Sequence, residues 1–129
     1  MNILLFSDIP PCSNYSAGIV LMQECEFLLE QGHRVNCFAV VDAQVKPEIP
    51  DRLKKSMKFK RVAKPQEDWG GGWRSRLMNG AMARRLPMIT REAAEFAKET
   101  ETELLWIVEQ GQSIILQARP LANATGLPY

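Results

Sequence analysis

Two apolar runs that lack regular polar alternation, Asn2–Ser7 and Arg34–Val41, constrain this chain more than any other feature. A sheet with one wet face alternates apolar and polar residues, so such runs predict parallel strands covered by helices on both faces. Between them, residues 17–31 carry helical spacing, with Met22, Cys25 and Leu29 on one stripe and Leu21 and Leu28 alongside. Ser16 is the expected N-cap and Gly32 the expected left-handed cap. Pro10 and Pro11 require a loop after the first strand. The chain therefore begins with one βαβ unit.

The middle is less regular. Residues 42–56 are polar and broken by Pro47 and Pro50, and they read as a loop. Residues 57–62 predict a weaker third strand, with Met57, Phe59 and Arg61 sharing one side. Residues 64–73 place Gly70-Gly71-Gly72 between Trp69 and Trp73, a loop in which one tryptophan anchors to the core or, alternatively, stacks on a sugar or touches a membrane. Two helices are expected next, over 74–85 and 90–100, divided at Pro87 and with Thr90 capping the second. A fourth buried strand over 103–108 and a helix over 112–125, opened by Gly111, continue the alternation. Gly126-Leu127-Pro128-Tyr129 reads as a helix stop and the start of a further strand. The expected fold is α/β, a Rossmann-like, doubly wound, mostly parallel sheet in three layers. It forms one domain over 1–129, cut before its fifth strand.

At 129 residues one core is expected, and 46% hydrophobic content argues against general disorder. Cys12, Cys25 and Cys37 have no metal-ligand spacing and His33 is the only histidine, so reduced thiols rather than a zinc site are expected. No basic region precedes the apolar start, which ends at Asp8, so neither a signal peptide nor a membrane span is predicted. The expectation is a cytoplasmic chain. The net charge of +1 hides an asymmetry, because residues 46–91 hold thirteen of the sixteen Lys and Arg against four acids. That segment is either an ordinary solvated face or a peripheral contact with the inner face of a membrane, an acidic substrate or an acidic partner. Nucleic acid is not implied, since no aromatic-interleaved RNA motif or DNA-reading helix accompanies the charge.

The N-terminal residues Met1-Asn2-Ile3-Leu4-Leu5-Phe6-Ser7-Asp8-Ile9-Pro10-Pro11, then Ser16-Ala17-Gly18 and Leu28-Leu29-Glu30-Gln31-Gly32-His33-Arg34-Val35, resemble the opening of family-4-type glycosyltransferases. Glu103-Leu104-Leu105-Trp106-Ile107-Val108, Gln110-Gly111-Gln112, Ala118-Arg119-Pro120-Leu121-Ala122 and Gly126-Leu127-Pro128 are similar to that family's fourth strand, fourth helix and approach to the fifth strand. Residues 46–100 match poorly. The resemblance implies the N-terminal, acceptor-side half of a GT-B architecture, a retaining transferase using a nucleotide-sugar donor and a sugar or lipid-linked acceptor. The donor site would belong to a second domain or a separate donor-domain polypeptide. The half alone would be inactive, with no catalytic residue and no cofactor assigned to it. An uncovered fourth-strand edge would favour self-association.

Two groups of residues are candidates within that reading. Ser16, Ala17 and Gly18 open the first helix, where backbone N–H groups and a small residue allow close approach of donor phosphates. The alternative is that Gly18 only relieves packing. Glu109, Gln110 and Gln112 follow the fourth strand at the carboxyl edge, where open α/β sheets bind ligands, and are candidate acceptor contacts or plain solvated loop residues. Glu95 and Glu103 reproduce the spacing of the family's donor-binding glutamate pair, but on different elements of the wrong domain, so that spacing is coincidence. His33 reads as a boundary residue. Trp106 to Pro120 also resembles the end of the nucleotide-binding domain of phosphoenolpyruvate synthases and pyruvate phosphate dikinases, except that Leu105 stands where an acidic metal ligand is required. A non-catalytic doubly wound module, regulatory or for assembly, is the rival function class.

Overall fold

A computed structural model describes residues 1–64, 71–108 and 112–129, without the side chains of residues 78, 79, 81, 82 and 112–116. Four parallel strands form one sheet in the order β3-β2-β1-β4, namely β1 (Asn2–Ser7), β2 (Arg34–Val41), β3 (Phe59–Ala63) and β4 (Leu104–Val108). The connecting helices are α1 (Ser16–Glu30), α2 (Asp51–Ser56), α3 (Trp73–Glu99) and α4 (Gln112–Thr125). Register places Leu5 between Cys37 and Trp106, so β1 is paired on both sides along its length.

The unbroken apolar runs have the predicted explanation. Side chains alternate between faces along a strand, and both faces of β1 are buried. Leu4 and Phe6 join Phe38, Val40 and Leu105 under Ile89, Ala93, Phe96 and Ala97 of α3 and Leu121 of α4. Ile3 and Leu5 join Val35, Cys37, Ala39 and Val41 under Leu21 and Cys25 of α1 and Leu53 of α2. Phe6 stacks on Phe38 at 5.7 Å and Phe38 meets Phe96 at 6.1 Å. The sheet grows one way through β2 and β3, then reverses to place β4 beyond β1. With crossover handedness constant, the reversal sends α3 and α4 to the opposite face from α1 and α2. The fold is thus a three-layer, doubly wound α/β arrangement. Among the described residues, no helix is long and apolar enough to cross a membrane.

Several boundaries differ from the sequence reading. The N-cap of α1 is Tyr15, in extended geometry, and Ser16 is already helical because the Ile19 amide donates to the Tyr15 carbonyl at 2.9 Å. Gly32 takes the left-handed cap as expected, at φ 84°. Residues 51–56 are helical rather than loop. Asp51 lies in the first turn and Lys54 and Lys55 in the last, matching the peptide dipoles, and Leu53 supplies one buried anchor. Met57 caps this helix, so the third strand starts two residues later, at Phe59.

The two helices expected around Pro87 are one continuous helix. Proline removes an N–H and frees the carbonyl of Ala83, but both residues are exposed, so the freed carbonyl is not one of the buried groups that would make the break costly. Burial of Ile89, Ala93, Phe96 and Ala97 fixes the following turns. Thr90 is therefore not a cap, and its hydroxyl hydrogen-bonds Gln117 Oε1 across to α4. Trp73 is no core anchor either, being 69% exposed, while Trp69 and Gly70 lie outside the described residues. After α4, Gly126 turns at φ 69°, and the Leu105 amide donates to the Pro128 carbonyl at 2.9 Å. This is one backbone bond beside β4, and residues 127–129 form no strand.

Burial sets the thiol chemistry. Desolvation pushes Cys25 up from the ordinary 9.0 to about 12, assisted by the neighbouring Glu24 and Glu26. Cys37, wholly buried, is raised further, chiefly by burial. In the unfolded chain these thiols ionise first. Their contribution to stability is therefore intact below pH ~9 and is lost as pH rises from there through the folded value. Urea unfolding followed from pH 8 to 11 should show stability falling with pH, and replacing Cys25 by Ala should flatten that slope.

Candidate functional site

In an open α/β sheet the ligand crevice lies beyond the carboxyl ends of the strands where the strand order reverses. Here that point is between β1 and β4. The loop after Ser7, the first turn of α1 and the start of α4 belong to this edge. Ser7 is fully buried at the last position of β1, and its hydroxyl donates to the Ile9 carbonyl at 2.6 Å, turning the chain sharply out of the sheet.

Ser16, Ala17 and Gly18 divide in role. Ser16 is exposed and Ala17 half-buried, and α1 has no side-chain cap hydrogen bond among the described residues. Gly18 is buried for a packing reason. A Cβ there would stand 2.1 Å from Cys12 Sγ, 3.1 Å from the Pro10 carbonyl oxygen and 3.2 Å from the Cys12 nitrogen. The Cys12 amide also donates to the Gly18 carbonyl at 3.1 Å. The loop thus packs its own thiol where Gly18 leaves space. That thiol is raised above its ordinary value by burial, which outweighs hydrogen bonds from the amides of Asn14 and Tyr15. Cys12 is a neutral packing group at this edge. Any anion approaching α1 must come to the Ser16–Ala17 side.

A clasp that the sequence did not signal holds the loop in place. Asn14 acts as a piece of backbone, its Nδ2 donating to the Lys46 carbonyl at 2.9 Å and its Oδ1 accepting from the Glu48 amide at 2.8 Å. Ser13 adds its amide, at 2.9 Å, and its hydroxyl, at 3.2 Å, both donating to the Glu48 carbonyl. The Tyr15 hydroxyl accepts from the Lys46 amide at 3.3 Å. From β3, Arg61 reaches the carbonyls of Asp42 and Val45 at 2.9 and 2.7 Å, closing the turn that carries the partner strand of the clasp. The consequence is that the backbone of Lys46, an exposed residue, is held beside the residues that lead into α1. No local pattern marks residues paired across thirty positions. Only the Asx preference for substituting backbone geometry hinted at Asn14.

Glu109 and Gln110 lie outside the described residues, as does Gly111, and Gln112 is placed as the first residue of α4 without its side chain. Glu95 and Glu103 do not converge as a site. Glu95 is on α3, and Glu103 accepts the Asn2 amide on its Oε2 at 2.7 Å. His33 pairs with the N-terminal amine at 3.4 Å, at the opposite edge.

Hollows among the described residues lie elsewhere, two of them as follows. One, of about 400 Å³ and lined by Arg91, Glu95, Lys98 and Glu101 among others, sits between the C-terminal ends of α3 and α4, at the amino edge of the sheet. The other, of about 390 Å³, lies between Phe27 of α1 and Trp106 of β4. Neither adjoins the switch point. Among the described residues, no group of His, Cys, Asp and Glu is arranged to hold a metal.

Gly18→Ala should destabilise the chain by about 1–3 kcal/mol through overpacking. Cys12→Ala in the same chain should recover part of that loss, so a double-mutant cycle in urea should give a coupling of at least ~0.5 kcal/mol. Asn14→Ala, which strips both hydrogen bonds from the clasp, should cost about 1–2 kcal/mol. Amide exchange should accelerate at Lys46 and Glu48 while the β1 amides stay protected.

Neither a protein-family model nor a curated protein matches this chain. Among solved structures, it is similar to the C-terminal domain of a hydrogenase from Pyrococcus furiosus, at 17% identity and a TM-score of 0.60, over 98% of this chain and 86% of that one. At that identity the likeness shows a shared Rossmann-like α/β fold.

Proposed function

We propose that this chain is the acceptor-side domain of a retaining glycosyltransferase that uses a nucleotide-sugar donor, and that transfer requires a donor-binding domain besides it. The observation that carries the reading is the coincidence of the resembling segments with the elements around the switch point. Most of them fall on β1, its exit loop, the start of α1, β4 and α4, with residues 28–35 at the opposite edge, whereas the poorly matched residues 46–100 fall on α2, the peripheral β3 and α3. The Ser16–Ala17 turn, with Lys46 beside it, suits the stabilisation of charge on a departing diphosphate. Gln112, with Glu109 and Gln110, would meet the acceptor. No residue of the domain is assigned as a nucleophile or base.

One observation favours the rival, a non-catalytic doubly wound module. The close approach that Gly18 permits is made by the chain's own Cys12, not left open to a ligand.

Titration with uridine or guanosine diphosphate separates the two. The proposal expects weak, millimolar binding that shifts the Ser16 and Ala17 amides in a nuclear magnetic resonance spectrum, and a smaller response in Lys46→Ala. Sub-micromolar affinity by calorimetry, or sugar transfer by this chain alone, would count against the need for a second domain. Unmoved Ser16 and Ala17 amides at saturating nucleotide and oligosaccharide would favour the rival.

A further inference from the structure

The length of α3 is out of proportion to the sheet it crosses. Its 27 residues extend about 40 Å, while the five-residue strands it joins, β3 and β4, span about 17 Å each. The C-terminal half supplies Ile89, Ala93, Phe96 and Ala97 to the core. In the N-terminal half, among described side chains up to Met88, only Ser75 is buried. Because α3 follows β3, that half rises at the carboxyl edge of the sheet, and among its described side chains Trp73, Arg74, Arg76, Leu77, Arg84, Arg85 and Met88 are exposed.

Its outward face has an unusual composition. Trp73, Leu77 and Met88 are 69%, 64% and 58% exposed. At about 100° per residue they fall, with Arg84 and Arg91, in a sector roughly 60° wide, opposite the buried stripe of Ile89, Ala93 and Phe96. Arg74, Arg76 and Arg85 flank the sector, and Arg74 lies over the Trp73 ring at 5.6 Å. From residue 73 to 91 there are five arginines and no acid, and the acids begin at Glu92, where the helix enters the core. A solvated helix face carries its apolar residues inward. This one carries a second apolar strip outward, set among cations.

We propose that the outward face of the first four turns of α3 is an interfacial binding element for a bilayer surface bearing anionic lipid headgroups. The charge fixes the sign of the occupant. Shape then favours lipid over an acidic polypeptide, because the strip is a convex ridge on one helix with no opposing wall among the described residues. The adjacent hollow, lined by Ala83, Leu86, Pro87, Thr90, Gln117 and Pro120, faces α4 instead. A folded or extended partner needs a groove to exclude water from Trp73 and Leu77, whereas a bilayer closes around a ridge. An exposed tryptophan and leucine set among arginines is the pattern such surfaces hold. This inference stands without the sugar-transfer reading.

The test is co-sedimentation of the chain with vesicles of phosphatidylcholine, with or without about 30 mol % phosphatidylglycerol. Binding should require the anionic lipid and weaken with salt. Arg84→Glu with Arg85→Glu, and separately Trp73→Ala with Leu77→Ala, should each lower partitioning at least about tenfold. Circular dichroism and urea midpoints should stay unchanged, since these side chains are exposed. Lys54→Glu with Lys55→Glu on α2 should leave binding as it was. The inference is overturned if anionic vesicles do not bind, if the α2 pair matters as much as the α3 pairs, or if poly-glutamate is bound in place of vesicles.

Discussion

Everything in this fold hangs on the pairing of β1 with β2 on one side and β4 on the other. A parallel strand in the centre of a sheet must have its backbone bonded along both edges and its side chains covered on both faces. Leu4 and Phe6 face one helical layer while Ile3 and Leu5 face the other, so four consecutive residues tie together all three layers. The same pairing creates the switch point. Because β2 and β4 flank the same strand, the helices that follow β1 and β4, α1 and α4, lie on opposite faces of the sheet, the arrangement that defines a switch point.

The structure at that switch point is held by polar contacts of long sequence separation. Asn14 replaces a short length of strand, pairing with residues 46 and 48 as a neighbouring backbone would, and Arg61 braces the turn behind it. Gly18 is small so that Cys12 can sit against α1, which fixes the exit loop from its other side. Two cross-braces on one loop give it a defined shape without any regular structure of its own.

The elements most legible in the sequence were those whose neighbours in space are also dictated by burial. Asn2–Ser7, Arg34–Val41 and the helix between them could be read because unbroken apolar runs have few alternatives, and Gly32 because only the left-handed region suits a helix stop there. Failures fell where tertiary packing overrode a local signal. Pro87 argues for a break, but an exposed proline does little harm when Ile89 and Ala93 fix the following turn. The helix Asp51–Ser56 is too short for periodicity and depends on one side chain, Leu53. Of the candidate site, the edge was legible from topology and the residues only in part. Gly18 has a packing role that its sequence context could not distinguish from a ligand role, and Asn14 and Lys46 gain theirs from contacts that no window of sequence contains.

The overhang of α3 has one further implication, for how a substrate would arrive. The N-terminal half of the helix rises at the same edge as the switch point. A domain resting on a surface through that ridge would therefore hold the crevice within a helix length of that surface, at a fixed tilt. Molecules confined to the surface would then search for the crevice in two dimensions, while those in solution would have to reach it past the ridge.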